Sequence, residues 1–327
     1  MAAVTTGPDT GSSTGFSGGP DGGKGLGKRL YAMLSGIPTG VLWILVALWA
    51  LPTVSLLANS FRTRDAQRES GFWTMLADQR LTLENYELVL TTGIAGGMWQ
   101  ALLNSFAIAL PATIVPIAMA AFAAYAFAWM DFKGREWWFI GTVSLLAIPL
   151  QTSLIPLLQL YSGGAKQTIP LLDKTVTVFP DVGLAGSVTA VWLTHTGFAL
   201  PLAIFLLHNY IVGLPRDVFE SARIDGADHF QIFVRLVLPL SVPVLAAFAI
   251  FQFLWTWNDY LIALTMVGGN RNALPATVVI ASLAGEFGIQ EHLLSAGAFV
   301  QAFVPIIVFF ALQRYFVRGM LAGSVKG

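Results

Sequence analysis

The sequence contains no cysteine and little charge. Of 327 residues, 18 are acidic, 18 are basic and four are histidine, so only 11% carry formal charge. Each shortage excludes a class of function. Without cysteine there is no disulfide, no thiolate nucleophile and no iron–sulfur ligation. His195, His208, His229 and His292 stand at no metal-ligand spacing. No G-x-x-x-x-G-K-[ST] run is present to cradle a nucleotide phosphate. A net charge of zero offers no footing for nucleic acid. Ordinary soluble domains are roughly a quarter charged. This chain cannot build the mixed polar surface that a soluble protein of its length needs.

What is present is apolar length: 55% of the residues are hydrophobic, with 23 Phe and 10 Trp. About 20 apolar residues cross about 30 Å of hydrocarbon as a helix. Six segments qualify, near 36–58, 101–128, 137–160, 184–209, 237–264 and 294–313. The expected fold class is therefore all-α, a polytopic membrane protein with six transmembrane helices. Pro111, Pro116, Pro149 and Pro156 fall inside these segments. A membrane helix tolerates proline where neighbours satisfy the freed carbonyls, so each either kinks a pathway or bends a packed helix.

The segment near 36–58 starts too late and runs too long to be a cleaved leader. Residues 1–30 are a Gly/Ser/Asp-rich tail, expected to be mobile. Residues 31–99 hold the first span and an outer loop, 100–320 the core, and 321–327 a short C-terminal tail. Lys24, Lys28 and Arg29 precede the first span, which predicts cytoplasmic N- and C-termini around six crossings. Eleven of the 18 basic residues then lie inside; the cluster Arg62, Arg64 and Arg68 runs against the bias. Residues 62–99 are expected to include a short amphipathic helix. Residues 161–183 are turn-rich and partly strand-like, and 265–293 form a third outer loop.

The most informative stretch is the inner loop 213–236 with its continuation, GLPRDVFESARIDGADHFQIFVRLVLPLSVP. Pro215 begins a short helix with Asp217 and Glu220 in its first turns. Phe219, Ala222 and Arg223 keep a 3.6-residue period, and Gly226 breaks it. Phe230, Phe233, Val234 and Val237 resume an apolar stripe. On pattern alone this is either a knob that docks on a partner or an interfacial helix lying on the membrane.

Glu220-Ser221-Ala222, then Asp225-Gly226-Ala227, then Leu238-Pro239-Leu240 resembles the EAA loop of ABC importer permeases. Ser221 stands where Ala is usual. The run Ala120 to Phe127, Pro149-Leu150-Gln151, Ile155-Pro156-Leu157 and Trp257-Asn258-Asp259-Tyr260 are similar to segments of the carbohydrate-uptake branch. The ending QRYFVRGMLAGSVKG resembles permeases related to the smaller membrane subunit of the maltose transporter and to alpha-glucoside permeases. The resemblance implies the type I ABC permease fold in a bacterial inner membrane. It implies coupling to an ATPase through Glu220, Ser221, Ala222, Asp225, Gly226, Ala227 and Pro239. It also implies a second homologous permease, two ATPase subunits that carry the ATP and Mg, and a periplasmic or lipid-anchored sugar-binding protein. No catalytic residue, metal or cofactor belongs to this chain in that reading.

For the substrate pathway the candidates are Asn104, Gln151, Trp257, Asn258 and Tyr260, with Trp255 as a further aromatic that could offer a face to a sugar. The aromatics equally fit an interfacial belt, and Asn104 and Gln151 equally fit bonds between helices. Three rivals stand beside a sugar permease: an ABC permease for a non-sugar solute, a secondary transporter and a membrane enzyme. The second expects midplane ionisable groups and inverted repeats, and the third a convergent His, Asp or Glu cluster.

Overall fold

The computed structural model describes residues 38–78, 80–92, 97–169, 174–284 and 290–324. The expected N-terminal tail 1–30 and residues 325–327 lie outside them. The chain divides into two units, residues 1–54 and 55–327. The described part of the first is the beginning of α1 (Thr39–Ser60), apolar around its whole circumference as a lipid-embedded helix is.

In the second unit, the described residues of 61–92 include the expected short helix and a second one beside it, α2 (Arg64–Glu69) and α3 (Glu84–Thr91). Arg62 is buried and donates to the Ala66 and Ser70 carbonyls at 2.6 and 3.0 Å and to Ser70 Oγ at 2.6 Å. Asn85 Nδ2 donates to the carbonyls of Ser60 and Arg62, 2.9 Å each. Arg80 pairs with Glu69 at 2.8 Å and Asp78 at 2.7 Å. The Arg80 hydrogen bond holds the Asp78 carboxyl below its usual range. Arg62 and Arg80, which count against a positive-inside bias, are thus spent on local structure.

Three long helices build the frame: α4 (Met98–Trp129), α7 (Val188–Val212) and α10 (Leu238–Trp257). Ala109, Ala112, Ala120, Ala124, Ala190 and Ala203 are fully buried in it. Small side chains let helix backbones approach closely where lipid provides no hydrophobic drive. Two core clusters mark the ends. One joins Ala101 and Ile108 of α4, Val191 of α7 and Trp257 of α10. The other joins Ala124 of α4, Leu207 of α7 and Phe233 just before α10. The starts of α4 and α7 share one cluster and their ends share the other, so these helices run parallel and α10 runs against them.

Parallel α4 and α7 require the chain to return between them. That return is a bent pair, not the continuous helix expected over 137–160. α5 (Arg135–Ser144), extended by a 3-10 turn to Ala147, meets α6 (Leu150–Gly163) at 102°. The break lies where the sequence places Pro149. A residue before proline is pushed out of the helical region, and Ile148 has φ −79° and ψ 118°. Among the described residues five helices are individually long and apolar enough to span a membrane, up to six if the bent pair counts as one span. Span five, expected at 237–264, is displaced: it runs from His229 to Trp257, and α11 (Leu261–Val267) follows a break at Asn258 to Tyr260. α12 (Ala276–Leu283) and α13 (Glu291–Ser324) complete the chain.

Loop 161–183 adds the one departure from an all-α fold among the described residues: β1 (Ala165–Ile169) pairs antiparallel with β2 (Lys174–Phe179). Gly164 turns α6 into this hairpin at φ +70°, and a Cβ there would collide with the Phe179 carbonyl oxygen. Gly164→Ala therefore meets both a left-handed backbone penalty of about 1–2 kcal/mol and that clash. The expected outcome, read by limited proteolysis of the membrane-inserted protein, is faster cleavage within 165–179.

Candidate functional site: the inner loop and the cleft

Loop 213–236 is a helix–turn–helix whose central turn is closed by a backbone cap on the first helix and a side-chain cap on the helix that follows. α7 stops at Gly213, and Pro215 precedes α8 (Arg216–Ile224). Ala227 N donates to Ala222 O at 2.9 Å and Gly226 N to Arg223 O at 3.0 Å. This six-to-one and five-to-two pair is the Schellman ending, which wants a left-handed residue at the position of Gly226; its φ is +82°. Two residues on, Asp228 caps α9 (His229–Ile232). Its Oδ1 accepts from Gln231 N at 2.7 Å, and Gln231 Oε1 accepts from Asp228 N at 3.3 Å. The reciprocal box satisfies two amides that a helix start leaves open. The sequence reading placed the turn at Asp225-Gly226 but missed this box, although Asp and Gln three apart signal it.

One face of α8 is anchored. Phe219 is buried and stacks on Trp129 at the end of α4, with ring centroids 4.0 Å apart and an 11° interplanar angle. Burying a phenylalanine contributes about 1.5–3 kcal/mol, and an aromatic pair adds about 0.5–1.5 kcal/mol. Arg223 Nη2 donates to Trp129 O at 3.3 Å, placing a cation on the last carbonyl of α4. Below the turn, Tyr125 OH and His229 Nδ1 lie 2.9 Å apart, and Phe233 stacks on Phe122 at 4.4 Å.

Among the described residues nothing covers the opposite face. Asp217, Glu220, Ser221, Asp225 and Gly226 are exposed, and Ala222 and Ala227 are half-buried against the core. Ser221 turns its hydroxyl back onto Asp217 O at 2.8 Å. It thus adds no new polar group to the surface where Ala is usual. Ile224 is 85% exposed and Phe230 67%. Neither stood out in the sequence, because an apolar residue in an amphipathic period reads as buried. Pro239 lies beyond a π turn at Phe233–Val237, in which Leu238 N donates to Phe233 O. Proline has no N–H and collides with the carbonyl four residues back, and the widened turn accommodates it.

The pathway candidates separate. Asn104 Nδ2 donates to Asn272 O and Leu274 O at 2.8 and 3.0 Å, and neighbouring Ser105 Oγ accepts from Ala276 N at 2.9 Å. Both residues therefore hold the segment Asn272–Ala276. Trp257 is 2% exposed, donates to Gln301 O at 3.2 Å and packs edge-on against Phe106. Asn258 caps α10 through Leu254 O at 2.8 Å. Asp259 Oδ2 accepts from Ala263 N at 3.0 Å and faces His195 Nε2 at 3.5 Å, a largely buried pair between α7 and the α10–α11 break that sequence spacing does not reveal. Gln151 and Tyr260 are exposed. The cleft of about 1060 Å³ beside the α5–α6 bend is lined instead by Thr152, Ser153, Thr194, Gln252 and Trp255 among others. Among the described residues no His, Asp and Glu group is placed to hold a metal ion.

Comparison with known proteins gives a consistent result. Residues 170–322 match the family described as "Binding-protein-dependent transport system inner membrane component". Over 283 residues the chain is 48% identical to the osmoprotective compounds uptake permease protein GgtD of Synechocystis sp., covering 85% of this chain and 88% of the relative. Over 275 residues it is 51% identical to the alpha-glucoside transport system permease protein AglG of Rhizobium meliloti, covering 82% and 68%. A chain of a bacterial ABC transporter that imports the polysaccharide alginate superposes with a TM-score of 0.65 at 16% identity, over 89% of this chain and 98% of that one, and shares the fold.

The turn at Gly226 makes a sharp prediction. A Cβ there meets open space, so the whole cost of substitution is backbone strain. Gly226→Val, with a branched side chain in the left-handed region, is expected to lose about 1–2 kcal/mol. Gly226→Asn is expected to lose less, since Asn visits that region. Thermal unfolding of the purified protein ranks the two.

Proposed function

The chain belongs to the family of binding-protein-dependent transport system inner membrane components, the permease subunits of ABC importers, and from that premise we propose that it forms half of the translocation pathway of an importer of small glucosides. Such permeases are not enzymes; hydrolysis of ATP belongs to partner subunits. In this reading a second, homologous permease completes the pathway, two ATPase subunits drive it, and a binding protein delivers the sugar to the face that carries the β1–β2 hairpin. The N- and C-termini then lie on the cytoplasmic side with loop 213–236.

The observation that carries the reading is the two-faced α8. Its Phe219 face is bolted to α4, while the Asp217, Glu220 and Ile224 face is left open. A surface of that kind transmits displacement: a partner gripping the open side moves α4 through the Phe219–Trp129 stack. Glu220 and Asp225 supply acidic groups for a basic cleft. Gly226 ends the helix without a side chain, so the partner approaches the turn closely. The glucoside class rests on the named substrate of the Rhizobium meliloti relative. A second reading, uptake of an osmoprotective solute, is favoured by the Synechocystis relative. Uptake of radiolabelled maltose against radiolabelled glycine betaine separates the two.

Ile224→Glu tests the coupling surface without disturbing the interior. The variant is expected to insert and to retain its partner permease. Recovery of the ATPase subunit is expected to fall about tenfold or more, a change equivalent to about 1.4 kcal/mol, with loss of uptake. Wild-type recovery together with wild-type uptake would sink the docking role of α8.

A further inference from the structure

The cleft beside the α5–α6 bend contains an acceptor that nothing among the described residues uses. Its volume, about 1060 Å³, is at the upper end of the roughly 300–1,000 Å³ usual for small-molecule sites. The bend supplies one wall, α7 a second, and one face of α10 the third. On that third wall Gln252 is 1% exposed. Its Nε2 donates to Ala112 O of α4 at 3.1 Å and approaches Thr256 Oγ1 at 3.4 Å. Those contacts orient the amide, and Oε1 is left buried with no hydrogen-bond partner. A buried acceptor without a donor is unfavourable unless something fills the place.

Trp255 lies three residues on, on the same face of α10, and lines the same cleft. Its ring meets His195 edge-on at 5.3 Å and 84°, which pins the indole. The rest of the wall is mostly apolar, and among the described lining residues the formal charge is that of Lys166 at the exposed rim. An acyl chain has no use for the acceptor. An anion is repelled by it, because an amide oxygen offers only lone pairs. A pyranoside fits both features. Its C–H face lies on an indole, and its hydroxyl donates to an amide oxygen.

We propose that Gln252 and Trp255 form a subsite for a neutral polyhydroxylated solute, in which a hydroxyl donates to Gln252 Oε1 and the apolar face of the sugar rests on Trp255. The proposal rests on the reading of the chain as a solute permease and adds that this subunit itself contacts the solute in transit.

The test uses the complete transporter in proteoliposomes with its binding protein. It records radiolabelled maltose uptake alongside ATP hydrolysis stimulated by the binding protein. Trp255→Leu and Gln252→Met are expected to raise the KM for uptake about tenfold while stimulated hydrolysis persists. Trp255→Phe keeps a ring and is expected to stay near the wild-type KM. The subsite is overturned by a wild-type KM in both Trp255→Leu and Gln252→Met. It is equally overturned if uptake and stimulated hydrolysis fall together in all three variants, which is the signature of a structural role. A wild-type complex that carries glycine betaine but no sugar overturns the glucoside reading and the subsite with it. A wild-type complex that carries maltose, with indifferent variants, overturns the subsite alone.

Discussion

The close contact of α4 with α7 through fully buried alanines is the constraint on which the rest of the structure depends. In hydrocarbon, helices gain nothing from merely being apolar, so they associate by fitting backbones closely and by satisfying polar groups across the contact. Because α4 and α7 run parallel, the chain between them must recross. The bent α5–α6 pair is therefore a topological necessity before it is a feature of any site. Its bend also opens space along α7, and that space becomes the cleft.

The same contact links the two ends of the molecule. Trp129 at the end of α4 carries the inner loop through Phe219, and Asn104 and Ser105 near its start hold the outer loop at Asn272 to Ala276. A helix of 32 residues with polar attachments at one end and an aromatic stack at the other acts as a single lever. In the proposed function, a displacement applied at α8 reaches the outer loop without passing through any flexible joint. Pro111 and Pro116 lie between the two attachments, and Pro116 frees the Ala112 carbonyl that Gln252 takes up. Gln252 donates to Ala112 O, and Thr113 bonds back to Ala109 O at 2.7 Å.

Much of the fold was legible in the sequence because hydrophobic length measures a bilayer directly. The first, second, fourth and sixth spans lie within a few residues of their expected places. The third and fifth do not. Pro149 was visible, but a proline marks only where a helix is free to break; the 102° angle is set by what α6 packs against. At the fifth, Trp257-Asn258-Asp259-Tyr260 reads as apolar enough to continue, yet Asn258 caps α10 and Asp259 starts α11. The inner loop was legible to its turn because Gly226 and the acidic first turn are local signals. Ile224 and Phe230 were not, since exposure of an apolar residue is a property of what fails to cover it. The pathway residues were the least legible. Polar and aromatic residue types announce themselves in an apolar span, but the helix face they occupy does not. Asn104 and Trp257 turn inward to protein, whereas Gln252 and Trp255 turn toward the cleft.

The scarcity of charge makes the buried His195–Asp259 pair informative. A carboxylate so little exposed is costly unless its oxygens are used, and here one oxygen accepts from Ala263 N while facing the imidazole. Among the described residues neither ring nitrogen of His195 has a hydrogen-bond partner, and the void beside the pair is about 10 Å³, the smallest space that holds a water. Asp259 O also accepts from Thr277 Oγ1 at 2.7 Å, which joins this point to α12. His195 in turn meets Trp255 edge-on. The indole that faces the cleft is thus held, through one imidazole and one carboxylate, to the segment that forms the outer loop. A rearrangement of that loop which moved Asp259 would alter the support of Trp255 directly. This places the two spare polar groups of the outer half between the loop and the cleft, where a chain with few charges has most reason to keep them.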